Sequence, residues 1–400
     1  MKNIDSFKYT CLFGGGAIRG AAHVGVIKAL NELGITPSVY GGSSVGSIVA
    51  ALWAIGYTYE ELAEIFLSVN FELFRDISFG FNTKFAFSKG EVFLNWFREL
   101  IEKKFYGEAY DKDNNQPVRF KDIKNNLVII TTNMKDFSCN EFSTFATPDF
   151  EIALAVRISC CMPGLMRAVN IDNKLLVDGD LMKGKPMWSL SKNLKNSDTR
   201  ILEIRLEGTF DGSDNKPIEY VNGMYTCMTS SETDFVRSIY KDCDNYDYLV
   251  INTGNVVVVD FNYPEDKRKQ IISDGYAQTM EYFKSYLPEK KNNLCNIYLS
   301  ILDYLRKIQE YMLRSKYNAA KSVTGELFIY LSDFAKYTDT DMYNSIKDFQ
   351  KLLFNNIKSG LLGYSVCSDK RVIMDNLDSL ILALTERINE FQKFLTKLSV

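Results

Sequence analysis

The sequence predicts an α/β domain followed by a helical one, and three stretches carry that prediction. Tyr9 to Phe13 reads as a short buried strand that runs into Gly14, Gly15 and Gly16 and then into a helix-spaced segment. Val39 to Gly56 repeats the plan: a strand-like lead, G-x-S-x-G at Gly42 to Gly46, and a long run of small apolar residues. Beyond Pro288 to Asn293 the strand pattern stops, and apolar residues step by three and four. At 400 residues the chain is more comfortable as two domains than as one core, with the boundary expected at 290/291.

The first helix is expected over Ala21 to Leu33, with Ala22, Val26, Ala29, Leu30 and Leu33 on one face and Gly34 ending it. Strand, glycine loop and helix together make a backbone cradle for negative charge. A nucleotide P-loop would need Gly-Lys-Ser/Thr at the helix start, yet Gly20 is followed by Ala21 and Ala22. A dinucleotide fingerprint needs G-x-G-x-x-G, and neither frame completes it. An oxyanion hole remains, and that use requires a nucleophilic serine nearby. Ser44 follows one strand later. Gly42 and Gly46 flank it so that the backbones can pass close together, placing the hydroxyl on a sharp strand-to-helix turn.

Ser88 to Lys103 reads as an amphipathic helix, with Ser88 as N-cap and Glu91 completing a capping box. The aromatic run from Phe71 to Phe97 reads as core beneath a long connection, with a greasy rim for acyl chains as the other reading. Strands are expected at Leu127 to Asn133, Leu175 to Val177, Ile201 to Leu206, Tyr248 to Thr253 and Val256 to Phe261, with a hairpin arm over Phe137 to Phe145. Arg157 to Gly164 should bring a short helix and a proline turn close to Ser44. A long helix fills Pro264 to Leu287, and PEKKNN at 288 to 293 reads as a linker. About four helices follow, two of them marked by Leu294, Tyr298, Ile301, Leu305, Ile308 and Met312, and by Ile373, Leu377, Leu380, Leu384, Ile388, Phe391, Leu395 and Leu398.

Composition narrows the function. A net charge of −3, with basic residues dispersed among acids, provides no field for nucleic acid. Eight cysteines without C-x-x-C spacing point to reduced thiols rather than a metal or disulfide framework. There is one histidine, His23, so a Ser-His-Asp triad with histidine last in the chain is excluded. Either His23 is the base or a carboxylate activates the serine directly, and a dyad is the simpler reading. No signal peptide and no membrane span is expected, which suggests a cytoplasmic protein that can work at a membrane periphery.

GGGAIRG at Gly14 to Gly20, GSSVGS at Gly42 to Ser47, RISCCMPGL at Arg157 to Leu165 and DGD at Asp178 to Asp180 occur in that order, and together they resemble the patatin-like phospholipase family. The resemblance covers roughly Tyr9 to Leu181. It implies a three-layer α/β/α sandwich, a Ser44/Asp178 dyad, and hydrolysis of acyl esters in lipids. It also implies an oxyanion hole from Gly15, Gly16 and Ala17, supported by Arg19, Gly20, Gly42, Gly46 and Gly179, with no metal or organic cofactor. Two positions depart from the family pattern. Ala17 stands where a glycine is usual and resists positive φ. Asp180 stands where glycine or alanine is usual, and a second carboxylate there either raises the pKa of Asp178 or faces solvent. Asp178 and Asp180 also spell D-x-D, a cation-binding pattern that lacks the lysine and hydroxyl of phosphoryl chemistry.

The expected substrate is a phospholipid or membrane surface, with a neutral-lipid lipase, lysophospholipase or thioesterase as the rival enzymes. A different rival is a catalytically weak interaction module. Residues 291–400 are expected to act as a scaffold or dimerisation element, with docking of an activating protein or small molecule as the alternative.

Overall fold

The computed structural model describes residues 9–69, 86–182, 200–209, 223, 246–256, 263–334, 340–359 and 364–398. All of the expected strand at Val256 to Phe261 except Val256, and the aromatic residues of the run before Phe87, lie outside the described residues. The described residues form two compact units, one reaching to Tyr282 and one from Phe283 onward.

In the first unit, β1 (Tyr9–Phe13) leads into α1 (Ala21–Glu32), and β2 (Pro37–Ser43) into α2 (Val45–Ile55). There follow α3 (Tyr59–Ser68), β3 (Ala86–Ser88), α4 (Glu91–Tyr106), β4 (Asn126–Asn133), β5 (Ser138–Ser143) and α5 (Ile152–Ser159). The unit continues with β6 (Gly164–Met166), β7 (Val169–Ile171), β8 (Lys174–Asp178), β9 (Arg200–Glu207), β10 (Tyr246–Asn252) and α6 (Glu265–Glu281). The main sheet runs β10-β9-β1-β2-β4-β8-β7, with β5 also paired to β4. Pairing is parallel from β10 to β4 and antiparallel beyond it. Helices α2, α4 and α5 form one flanking group, with α2 and α5 against the sheet. Helices α1, α3 and α6 form the other, with α6 against β10, so the unit is a three-layer α/β/α sandwich. Strands β1 and β4 are buried from end to end apart from Asn126, and their near-continuous apolar wording follows from cover on both faces.

The register of β4 decides where the chemistry sits. Residues Asn126 to Ile130 pair with β2, and Thr131 to Asn133 pair with β8. Strand β5 occupies the other edge of β4, pairing with Val128 to Asn133. Two strands of opposite direction therefore lie in tandem along one edge and meet end to end: Ser43 lies opposite Ile130, and Asp178 opposite Thr131. A residue just after β2 and the last residue of β8 are brought together by adjacent rungs of one ladder.

Two local expectations are corrected. Ser88 does not cap a helix. It belongs to β3, which pairs with β6, and its Oγ accepts the Gly90 amide at 3.0 Å. Gly90, in the left-handed region at φ 76°, is the residue at the helix start. Nor is PEKKNN a linker. After a π-helical turn at Tyr282–Tyr286, Pro288 stands in the first turn of α7 (Leu287–Leu313), where its missing N–H costs nothing. Lys291 is buried there, with its Nζ 5.0 Å from the Phe391 ring centre.

The second unit holds α7, α8 (Tyr317–Phe334), α9 (Thr340–Asn356), a short hairpin of β11 (Ile357–Ser359) and β12 (Ser365–Cys367), and α10 (Lys370–Leu398). Of the apolar ladders named from the sequence, Leu294 to Met312 and Ile373 to Phe391 form part of its buried core, while Leu395 is half-buried.

Candidate active site

Ser44 follows the last residue of β2, with φ 51° and ψ −132°, a backbone conformation that costs a non-glycine residue about 1–3 kcal/mol. The enclosure that enforces it is tight. A Cβ on Gly46 would lie 2.0 Å from the Phe13 carbonyl oxygen, and one on Gly42 would lie 2.3 Å from the Gly46 carbonyl oxygen. Both flanking positions must be glycine because backbone meets backbone there. The Ser44 amide donates to Ser159 Oγ at 2.9 Å, and Ser159 Oγ in turn donates to the Ile130 carbonyl at 2.7 Å. Helix α2 starts at Val45, so its positive end faces any charge that develops on the serine oxygen.

Ser44 Oγ donates to Asp178 Oδ2 at 2.7 Å, and both residues are buried. Asp178 is held by its own amide, which donates to the Cys161 carbonyl at 2.9 Å. Its other carboxylate oxygen, Oδ1, accepts the Asp180 amide at 2.8 Å. Gly179 lies close against β4: a Cβ on it would sit 2.1 Å from the Ile130 carbonyl oxygen.

The glycine loop packs directly against this pair. Gly14 N donates to the Ile204 carbonyl at 2.8 Å, tying the loop to β9. Gly15 is wedged between its neighbours, since a Cβ there would stand 2.8 Å from Ser44 Cβ and 2.6 Å from Asp180 Oδ2. The Gly15 amide donates to Asp180 Oδ1 at 3.1 Å, which leaves Gly16 and Ala17 as the loop amides to consider for an oxyanion. Gly16 has φ 157°, and Ala17 takes φ 47°. Ala17 thus adopts the positive φ that its side chain was expected to resist. Gly20 has no room for a side chain, because a Cβ there would meet Val45 Cγ2 at 2.1 Å.

Arg19 braces the loop, donating from Nε and Nη2 to the Val256 carbonyl at 3.1 and 2.9 Å. His23 is fully buried; its Nε2 donates to the Gly14 carbonyl at 2.8 Å and its ring meets Phe13 edge-on at 5.1 Å. It therefore supports the glycine loop, while the Ser44 hydroxyl turns to Asp178.

Asp180 does not face solvent. It is buried, and its Oδ1 accepts from Ser43 Oγ at 3.1 Å and from Arg205 Nη1 at 3.2 Å as well as from Gly15. The D-x-D carboxylates thus point to separate partners, one to the serine and one to the arginine. Arg205 also donates to Glu203 Oε1 from Nε at 2.7 Å, and Glu203 Oε2 accepts the Tyr246 hydroxyl at 2.6 Å. Burial together with the Glu203 carboxylate pushes the Tyr246 hydroxyl well above its usual range, so it remains a donor. Near the dyad, burial pushes the Cys161 thiol up to about 12 and raises Cys160 strongly, with Asp178 adding to both. Neither is a thiolate nucleophile at neutral pH. The six described cysteines are all free.

Sequence reasoning placed Ser44, Asp178 and the glycine loop but missed three supports: the Ser159 hydroxyl, the Cys161 carbonyl, and the Arg205–Glu203–Tyr246 chain. Ser159 stood inside RISCCMPGL, where its role could have been sought. Arg205 and Glu203 offered only a faint signal, two charges inside a buried strand pattern. Among the described residues no group of three or more His, Cys, Asp or Glu side chains is arranged to hold a metal ion. Nor is any described helix long and apolar enough to cross a membrane.

Residues 12–190 match the family model described as patatin-like phospholipase. An uncharacterized protein, R571 of Acanthamoeba polyphaga mimivirus, is 32% identical over 169 residues, which is 41% of this chain and 55% of that protein. Lysophospholipase nte1 of Aspergillus fumigatus is 58% identical over 43 residues, 11% of this chain and 3% of that one. Among solved structures, VipD from Legionella pneumophila superposes with a TM-score of 0.52 at 14% identity, covering 96% of this chain and 91% of that one, a likeness of fold. Residues 12–190, which hold the serine elbow, the glycine loop and the Asp-Gly turn, are the part of the chain that is similar to the patatin-like phospholipase family.

Proposed function

We propose that the protein is a serine-dependent acyl hydrolase that releases fatty acids from glycerophospholipids through a Ser44/Asp178 dyad. The observation that carries this reading is the 2.7 Å hydrogen bond from Ser44 Oγ to Asp178 Oδ2 within a buried elbow. The likeness of residues 12–190 to the patatin-like phospholipase family, and the lysophospholipase named among the relatives, support the substrate class.

In the first half-reaction Ser44 Oγ attacks the ester carbonyl while its proton passes to Asp178 Oδ2. The tetrahedral oxyanion lies against the Gly16 and Ala17 amides and the positive end of α2. Collapse breaks the bond to the alcohol, which leaves with the proton from Asp178, and the acyl group stays on Ser44. Water then gives a proton to Asp178, attacks the acyl carbonyl and releases the fatty acid, and the proton returns to Ser44. The Asp180 amide on Asp178 Oδ1 keeps Oδ2 aimed at the serine throughout.

The test is product release from mixed phospholipid vesicles by wild type, Ser44→Ala and Asp178→Asn. Free fatty acid and lysophospholipid from the wild type alone is the expected result. Equal release by all three proteins contradicts the dyad. Neutral-lipid or thioester turnover without phospholipid turnover moves the substrate class. Folded wild type that releases nothing, even with cell extract added, favours a binding module over an enzyme.

A further inference from the structure

Asp180 stands where the family resemblance leads one to expect glycine or alanine, and its contacts show what a carboxylate does there. Its Oδ1 gathers three donors from three separate segments: the Gly15 amide of the glycine loop, the Ser43 hydroxyl beside the nucleophile, and Arg205 Nη1 on β9. Through its own amide the same residue holds Asp178 Oδ1. Asp180 and Arg205 are both buried, so the pair meets in a medium where a misplaced or unmatched charge is expensive and the geometry is correspondingly fixed. Behind Arg205, Glu203 accepts from the guanidinium and from the Tyr246 hydroxyl. Those residues lie on β9 and β10, so the network anchors the glycine loop to the body of the sheet.

The Ser44 side chain and the Asp180 carboxylate both crowd the space a Gly15 side chain would fill, each within 2.8 Å of where a Cβ would stand. With the carboxylate in place, Gly15 is held against Ser44, and the Gly16 and Ala17 amides that follow are fixed relative to the serine oxygen. A glycine or alanine at position 180 would offer no acceptor to Gly15, Ser43 or Arg205.

We propose that Asp180 is the positioning residue of this site. One carboxylate oxygen locks the oxyanion loop and the nucleophile strand to the Asp178 turn, and Arg205 and Glu203 lock that carboxylate in turn. The proposal rests on the hydrolase reading. Its effect belongs to the transition state, because the loop amides tighten on charge that the ester acquires only as Ser44 attacks. It should therefore appear in kcat and not in KM.

The experiment compares wild type, Asp180→Asn and Ser43→Ala, with Ser44→Ala as blank. It measures kcat and KM on a water-soluble short-chain ester and the rate at which a fluorophosphonate labels Ser44. Asp180→Asn keeps the shape but removes the charge that holds Arg205. It should lower kcat and labelling by up to about a hundredfold, the loss that a misplacement of reacting groups by about 1 Å can cause, with KM within about threefold. Ser43→Ala removes one of the three donors without altering charge, and should lower kcat in the same direction by a smaller factor. It keeps the proposal testable if Asp180→Asn fails to fold. Folded Asp180→Asn with wild-type kcat and labelling, or a loss confined to KM, overturns the role of Asp180 while leaving the hydrolase intact. Should Asp180→Asn not fold, wild-type kcat in Ser43→Ala overturns it equally. Wild-type protein that neither labels nor hydrolyses overturns the hydrolase reading and this proposal with it.

Discussion

Ser44 keeps its backbone in an unfavourable region because its amide, its carbonyl and its side chain are all engaged. Ser159 takes the amide, the Ser47 amide and hydroxyl donate to the carbonyl, and Asp178 takes the hydroxyl. Ser159→Ala removes the acceptor of the Ser44 amide in a buried setting. The expected cost is about 1–3 kcal/mol of unfolding free energy, with slower fluorophosphonate labelling of Ser44. Urea denaturation and labelling kinetics check this, and an unchanged midpoint and rate would remove Ser159 from the elbow's support. At this scale the sequence was legible where the chemistry demands a local pattern. Gly42-x-Ser44-x-Gly46 and Asp178-Gly179 are contiguous because the backbone must pass within van der Waals contact of its neighbours there. Ser159, Glu203 and Arg205 were not legible as a group, since only the folded sheet brings residues 15, 43, 180 and 205 to one oxygen.

At the scale of elements, buried strands and amphipathic helices were readable because cover on both sheet faces gives unbroken apolar wording and cover on one helix face gives steps of three and four. The strand at Tyr9–Phe13 and the α7 and α10 ladders follow directly. The misreadings share a cause, which is tertiary context overriding local signals. Ser88 has the wording of a capping box, but pairing of β3 with β6 takes it into a strand and leaves Gly90 to start the helix. PEKKNN has the wording of a linker, but proline suits a first helical turn, and Lys291 lies over a phenylalanine ring instead of in water. The reversal at β4, where β2 and β8 meet end to end, has no sequence signature at all, and it is the feature that joins Ser44 to Asp178.

Across the whole molecule, buried titratable groups set a stability limit on the alkaline side. Cys161 is pushed up to about 12 from an ordinary thiol value of 9.0, and burial raises Cys11 and Cys160 in the same direction. Burial likewise pushes Tyr40 up to about 12. The unfolded chain gives up these thiol protons above about pH 9 while the folded chain keeps them, so the folded state binds more protons and stability falls as pH rises toward 12. The guanidinium midpoint should therefore be lower at pH 10 than at pH 7.5, and equal midpoints would mean that the thiols are not buried as described. The same protonation leaves the thiols beside the dyad unreactive at neutral pH, so a serine-directed reagent has one expected target there. The most direct measurement of the central claim is the intact mass of the full chain after fluorophosphonate treatment at pH 7.5, followed by peptide mapping. One adduct on Ser44, absent from Ser44→Ala and strongly reduced in Asp178→Asn, is the predicted result. An adduct elsewhere, or labelling of Ser44 that is indifferent to Asp178, would contradict the dyad.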